Sequence, residues 1–509
     1  KKTLAMGLAA SLLSLSLTLA PAPYASLAAE LTDRDVAVAT LENSQLITLN
    51  GTTAETSAQG VTVSDGLVTI TQAGTYALTG SFNGQVAVSL AENGEVNLLL
   101  NGASIQAETG AALSSAGAGK TVITLADGTE NALVSGGEDT AQEETAALFS
   151  RDDLTINGTG SLTVTAGKDG IASKDSLVLV SGTYVINAES DGLKANDQAV
   201  IAGGNVTVTA GDDAIVSDTT LEVTGGTITV SAADDGLHSD GDLTITGGEI
   251  NVIKSEEGIE GVNMTIAGGV ISVVSSDDAI NAAGGEVTSS TSSRGGMQST
   301  SSGNLTITGG QIVINSEGDG IDANGSITMT GGEVYIAGPS RQDNGALDYD
   351  DTFTLTGGTL VALDNGGMTT TPSSTEVSGG MVSIQGSSTF QVSNASGTVI
   401  SFAPGKSYTT AVIYSDKLTQ GETYTVTSDG GTASLTTSTE TGAMHGGPGM
   451  PGGWQQHGGP GMNGQDSGMT GGPRQHGQGW GQQPGGMDRN GPPQGNPPFG
   501  IHQSNGQNW

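Results

Sequence analysis

Asp235-Gly236-Leu237-His238-Ser239-Asp240-Gly241-Asp242-Leu243-Thr244-Ile245-Thr246-Gly247-Gly248-Glu249-Ile250-Asn251-Val252 is one turn of a pattern that returns between residues 169 and 358. A short alternating piece (Leu-Thr-Ile-Thr) runs into Gly-Gly, and a second piece (Glu-Ile-Asn-Val) follows. An acidic corner and a third short apolar piece complete the unit. The Gly-Gly element, with a Ser in first place at Ser181-Gly182, recurs from there to Gly379-Gly380. The acidic corner recurs at Asp169, Asp191, Asp213, Asp235, Glu257, Asp278 and Asp319, in four steps of 22 residues and then one of 21.

A fixed period of this size with three short strands per unit means a solenoid. Alternation within each strand gives one buried and one wet face. Three strands joined by tight Gly corners keep every Ile and Val on one side only if they are wound into a coil. The sequence therefore predicts an all-β chain: a three-sided parallel β-helix of about 22 residues per coil, with Ile, Leu and Val stacked inside.

Outward from the repeats, residues 30–149 carry the same chemistry less regularly and are expected to form wider first coils. Regular coils are expected over 150–386, broken at one corner by a Ser/Thr/Gly-rich insertion at 288–302. A small C-terminal β cap is expected over 387–440. Residues 441–509 are rich in Gly, Pro, Gln and Met, cannot bury a core, and are expected to be disordered. At the other end, Lys1 and Lys2 precede an apolar run from Leu4 to Ala20 and then small residues, the layout of a signal peptide over 1–29. The protein is thus expected to be secreted or to sit at the extracellular cell surface.

The formal charge is −38. That argues against nucleic acid and anionic membranes as partners and favours cations. There are no cysteines, which excludes disulfides, thiolate metal sites and thiol nucleophiles. No second apolar segment of membrane length occurs, so membrane insertion is not expected. The chain is read as a monomer.

Several stretches resemble the bacterial cellulose- and pectin-binding β-helix family, the carbohydrate-binding domain-containing proteins. They include Val68-Thr69-Ile70-Thr71-Gln72-Ala73-Gly74-Thr75-Tyr76, Leu98-Leu99-Leu100-Asn101-Gly102-Ala103, residues 150–160, the repeats, Asp348-Tyr349-Asp350-Asp351-Thr352-Phe353, and residues 417–424. The resemblance covers roughly residues 55–430. It implies a right-handed helix similar to that of pectate lyases and bound calcium. It also implies binding of cellulose or polygalacturonate, that is, a plant-type or cell-wall polysaccharide, without proven catalysis. The insertion and the tail inherit nothing from it.

Independently of that resemblance, the chemistry lies in the acidic corners. Coils of a β-helix sit about 4.8 Å apart, so matching positions form ladders. One ladder is Asp191, Asp213, Asp235, Glu257, Asp278 and Asp319; beside it run Asp212, Asp234, Glu256 and Asp277. Three residues after the first come Lys194, Val216, His238, Glu260, Asn281 and Asp322, which alternation points outward. Two further on lie Asn196, Asp218, Asp240 and Asn324. Two carboxylates at this spacing repel by roughly 1 kcal/mol even in bulk water. A cation relieves this, and Ca²⁺ accepts carboxylate, amide and backbone oxygens in flexible geometry. Expected calcium ligands are Asp234, Asp235, Asp240, Glu256, Glu257, Glu260, Asp277 and Asp278, then Asp319, Asp322, Asp348 and Asp350. The alternative for any one Asp is capping of a turn through its backbone. The outward row His238, Glu260, Asn281 and Asp322 is the expected carbohydrate-binding surface.

Catalytic signals are poor. No Ser-His-Asp arrangement, P-loop or HExxH is present, and carboxylate pairs are too numerous to discriminate a glycosidase. Lys194, Lys254 and Arg341 are the candidate bases of a lyase. Three functions stay open: a calcium-containing polysaccharide binder, a pectate-type lyase on the same scaffold, and a surface adhesin built on the Thr-x-Thr strand faces.

Overall fold

Each short strand has apolar residues at alternate positions, and burial follows that alternation: Leu243 and Ile245 are buried, while Thr244 between them is only half-buried. The computed structural model describes residues 31–137, 146–283 and 303–439. The predicted signal peptide (1–29), insertion (288–302) and tail (441–509) lie outside the described residues.

Strands pair in parallel with the strand one coil away, and three stacks run side by side. One holds the corner strands Asp169–Ser173, Leu193–Ala195, Ile215–Ser217, Ile280–Ala282 and Ile321–Ala323. A second holds Leu177–Leu179, Gln198–Ile201, Thr220–Val223, Asn304–Ile307, Ile327–Met329 and Phe353–Leu355. Two longer strands, Leu237–Ile245 and Ile259–Ile266, pass through both stacks. A third stack runs from Glu130–Ser135 through Thr183–Ala188, Thr227–Ser231 and Gln311–Ser316 to Thr359–Asp364. This is the expected three-sided parallel β-helix. Its interior is one apolar column from Ile47 to Tyr414.

The Gly-Gly corners have separate reasons for each glycine. Gly248 has φ +90°, which an L side chain rarely adopts. A Cβ on Gly247 would stand 2.5 Å from the carbonyl oxygen of Thr224 in the coil before.

The parallel stack ends at Thr359–Asp364. The strand Ser378–Gly386, read from the sequence as part of the last coil, instead pairs antiparallel with Tyr408–Ser415, which also closes onto Thr359–Asp364. Beyond it, Phe390–Asn394, Gly397–Phe402, Thr423–Ser428 and Gly431–Thr436 form a four-stranded antiparallel sheet with its own core.

At the other end a strap not foreseen from the sequence crosses the first coils. Its short helix Asp33–Val36 carries Asp35, which is buried and takes hydrogen bonds from Lys120 Nζ (2.6 Å) and Thr155 Oγ1 (2.6 Å). Burial pushes this carboxyl up, but the bonds from Lys120, Thr155 and Thr32 outweigh it and hold it well below the usual carboxylate range.

Candidate functional site

The corner strands share one local pattern: an apolar residue in, one residue out, a small residue in. Leu237-His238-Ser239 and Ile259-Glu260-Gly261 are examples. Because the coils pair without slip at these positions, Lys194, Val216, His238, Glu260, Asn281 and Asp322 stand in one continuous row. The expected outward row therefore exists. It is not freely wet, however. The His238 and Glu260 side chains are 22% and 23% exposed, and Asn281 is 8% exposed. Neighbours about 4.8 Å above and below crowd each member, and the corner acids flank them. Asn281 donates from Nδ2 to Glu257 Oε2 (2.7 Å), while its buried Oδ1 meets no partner.

The first ladder of acids does two jobs. At several of them one oxygen caps the backbone of the next coil: Asp213 Oδ1 accepts from Asp235 N (3.0 Å), Asp278 Oδ1 from Asp319 N (2.6 Å), and Asp319 Oδ1 from Gly345 N (2.6 Å). The capping alternative is thus realised, but between coils instead of within one turn. At Asp213 and Asp235 the Oδ2 oxygen faces the row. His238 Nδ1 lies 2.6 Å from Asp235 Oδ2 and 4.0 Å from Asp213 Oδ2, its Nε2 lies 3.1 Å from Asp240 Oδ1, and Glu260 Oε2 stands 3.8 Å away.

Three groups bring ligand atoms within 4.8 Å of one another: Asp235 with Glu257 and Glu260, Asp213 with Asp235 and His238, and Asp212 with Asp213 and Asp234. The expected ligands thus divide. Asp235, Glu257 and Glu260 converge; Asp234 joins the neighbouring corner; Asp240 is taken up by His238. Glu256 and Asp277 are exposed at the rim. Asp278, Asp319, Asp322, Asp348 and Asp350 form a further patch. They act on one another through charge but form no such triad among the described residues.

The electrostatics show how strained the row is without a counter-ion. Burial, then the nearby Glu260 and Asp277, pushes Glu257 up to about 8, against the hydrogen bond from Asn281. Burial and the surrounding acids raise Asp319 to about 7 and Asp278 and Asp322 to about 6. Asp213 also rises to about 6, mainly by burial. Glu260 is raised as well, by burial first. His238 goes the other way: burial lowers it, but Asp235, Glu260 and Asp213 outweigh that and bring it to about 10. It is a built-in cation in an anionic row.

The opposite end of the same face mixes the two signs. Lys168, Lys174 and Lys194 line a cleft of about 250 Å³ together with Asp169, Asp191, Asp212 and Phe149. Lys194 is paired to Asp191 at 2.5 Å. Of the other candidate bases, Lys254 ends the strand Glu249–Lys254 of the third stack, and Arg341 pairs with Asp343 at 3.3 Å. Neither belongs to the groups that gather around Asp235.

Residues 64–296 match the model of a family described as carbohydrate-binding domain-containing protein. A carbohydrate-binding domain-containing protein of Acetivibrio thermocellus is 33% identical over 147 residues, 28% of this chain and 51% of that one. The chain therefore spans about half the length of the curated relative it matches. Among solved structures, the polysaccharide lyase-like protein from C. thermocellum, a gadolinium derivative, is 30% identical. That match has a TM-score of 0.38 and covers 44% of this chain and 92% of the other.

Proposed function

We propose that the chain, whose residues 64–296 match the carbohydrate-binding domain-containing family, is a non-catalytic binder of acidic polysaccharides that works through calcium held in the corner row. The family match implies a polysaccharide ligand; the polyuronate and the calcium are our reading. The observation that carries it is the convergence of Asp235, Glu257 and Glu260 beside the unpartnered Asn281 Oδ1. Three carboxylates and an amide carbonyl are hard oxygen donors, the set that suits Ca²⁺ rather than a softer metal. They fit the ion. Calcium there would neutralise the row and, with its high coordination number, leave places for a uronate carboxylate. A chain of charge −38 otherwise repels a polyanion. The row runs from coil to coil, so an extended glycan lying along it meets Glu260 and Asp322, on either side of the buried Asn281. We further place the protein outside the cell, a reading supported by the apolar run from Leu4 to Ala20.

The test is retention on insoluble polygalacturonate with Ca²⁺ and with chelator, with circular dichroism as folding control. Retention should need Ca²⁺ and fall at least tenfold in the double variant Glu260→Ala, Asp322→Ala. Equal retention in chelator by a folded protein would sink the bridging role.

A further inference from the structure

The second stack carries a surface of a different kind. Its strand pieces read Leu243-Thr244-Ile245-Thr246, Met264-Thr265-Ile266-Ala267, Leu305-Thr306-Ile307-Thr308, Ile327-Thr328-Met329-Thr330 and Phe353-Thr354-Leu355-Thr356. The Leu, Ile, Met and Phe side chains are buried in the column. The threonines alternate with them and face away. Pairing puts Thr244 on Thr265, then on Thr306, Thr328 and Thr354, without a slip. Backbone bonds from Thr308 N to Ile266 O, Thr330 N to Ile307 O and Thr356 N to Met329 O keep a second row in step. Ala267 is its one interruption. The second row is exposed and the first half-buried. The result is a grid with about 4.8 Å between coils and roughly 6.6 Å between rows, about 19 Å long.

Two features separate this grid from an ordinary sheet surface. None of the threonine hydroxyls in the two rows is hydrogen-bonded to another described protein group. The row on the far side of the same strands satisfies itself: Asn263 Nδ2 donates to Asp242 Oδ1 (3.0 Å), Ser326 N to Asn304 Oδ1 (3.1 Å), and Ser326 Oγ meets Thr352 Oγ1 (3.1 Å). Moreover, from Thr244 to Thr356 neither row holds a charged residue, in a chain of net charge −38.

We propose that this face is a second, metal-independent binding surface for an uncharged, extended polysaccharide. A threonine hydroxyl both donates and accepts, as a sugar hydroxyl does. Its methyl group gives a sugar ring an apolar contact, and a repeat of one rung per coil offers a polymer the same contact at each step. A neutral ligand needs no cation here and desolvates no charge. The corner row meets none of these conditions, so the two surfaces select glycans of opposite character.

The full chain is tested on microcrystalline cellulose in chelator and on polygalacturonate in Ca²⁺. The wild type should be retained on cellulose in chelator. The triple variant Thr265→Val, Thr306→Val, Thr328→Val removes hydroxyls while keeping shape and strand preference. It should melt like the wild type, lose cellulose retention at least tenfold, and keep its Ca²⁺-dependent retention on polygalacturonate. Thr308→Lys with Thr330→Lys, which sets charged stems on the exposed row, should do the same. The proposal is overturned if the folded variants hold cellulose as the wild type does, or if the wild type is not retained in chelator. It is also overturned if cellulose retention follows Glu260→Ala, Asp322→Ala instead. Inhibition of ice recrystallisation without cellulose retention would mean that the grid orders water, not a glycan. Failure on polygalacturonate alone would instead remove the calcium reading and leave this one standing.

Discussion

The corner row and the threonine grid are made by the same coils, in the same register, with the same spacing. What differs is the residue repeated. A β-helix multiplies a local choice: a threonine on a threonine adds small favourable cross-strand contacts, whereas a carboxylate on a carboxylate adds repulsion at every step. The grid is therefore self-sufficient without an ion. The corner row is not, as its raised carboxyls, its inserted His238 and the orphan Asn281 Oδ1 show together. A repeat protein can keep such a column only where something else neutralises it.

The sharpest way to break this contrast is to write one face into the other. Thr265→Asp, Thr306→Asp and Thr328→Asp would place three carboxylates in adjacent rungs, with no histidine between them. Two neighbouring pairs at ladder spacing should destabilise the fold by at least about 2 kcal/mol near neutral pH. Denaturant unfolding of the triple variant against Thr→Asn at the same sites reads the charge alone. Equal stability of the Asp and Asn forms would show that ladder repulsion is screened away, and would remove the reason for a cation in the corner.

A second test uses pH. Glu257 at about 8, Asp319 at about 7, and Asp213, Asp278 and Asp322 at about 6 all stand above their unfolded values. The folded state binds more protons than the unfolded one from the ordinary carboxylate range, about 4, up to these values, so without metal stability should fall as pH rises from about 4 to about 8, Glu257 and Asp319 carrying the part above about 6. These sites are only partly buried. Discounted for solvent screening, the loss should be on the order of 1–2 kcal/mol. Asp35 has the opposite sign: its carboxyl is lowered, so its contribution is present at neutral pH and lost as pH falls below the unfolded carboxylate range. Melting in chelator should thus improve on mild acidification and fail on strong acidification, and Ca²⁺ should flatten the upper limb. A melting temperature that is flat between pH 6 and 8 in chelator would contradict the strain assigned to the row.

How much of this was legible beforehand follows from what periodicity can encode. A 22-residue step between matching Asp residues fixes which side chains stand above one another, so the coil, its three stacks and the row through His238 and Glu260 could all be read off. Alternation tells the side of a strand and not the depth, which is why Asn281 was expected at the surface and is buried. Nor does it tell that an oxygen of Asp213 or Asp278 is already engaged with the next coil's backbone. The strap around Asp35 has no repeat at all. Its partners, the half-buried Lys120 and the buried Thr155, lie 85 and 120 residues away, beyond any local pattern. Ser378–Gly386 keeps the Gly-Gly signature of a coil, yet its pairing is decided by Tyr408–Ser415, which the local motif cannot register.

The smallest expected effect falls on the lysine-bearing end of the corner face, and it separates binding from turnover. A lyase base must be unprotonated near its working pH. Lys194 is the lysine aligned with the row, one step beyond Val216 from His238. Burial alone would lower it, but the hydrogen bond to Asp191 and the charges of Asp191, Asp169 and Asp218 win and raise it. It is held as an ammonium, the wrong form for abstracting a proton. Its ion pair is also partly solvated, the Lys194 side chain being 35% exposed, so Lys194→Met should cost less than about 1 kcal/mol in denaturant unfolding. Wild type and variant alike should release no unsaturated uronide from polygalacturonate in Ca²⁺, followed by near-ultraviolet absorbance. A steady rise with the wild type that disappears in Lys194→Met would make this lysine a base and move the protein from binder to lyase. A rise that persists in the variant would require another base, and would leave the role of Lys194 as the neutralising end of the acid ladder.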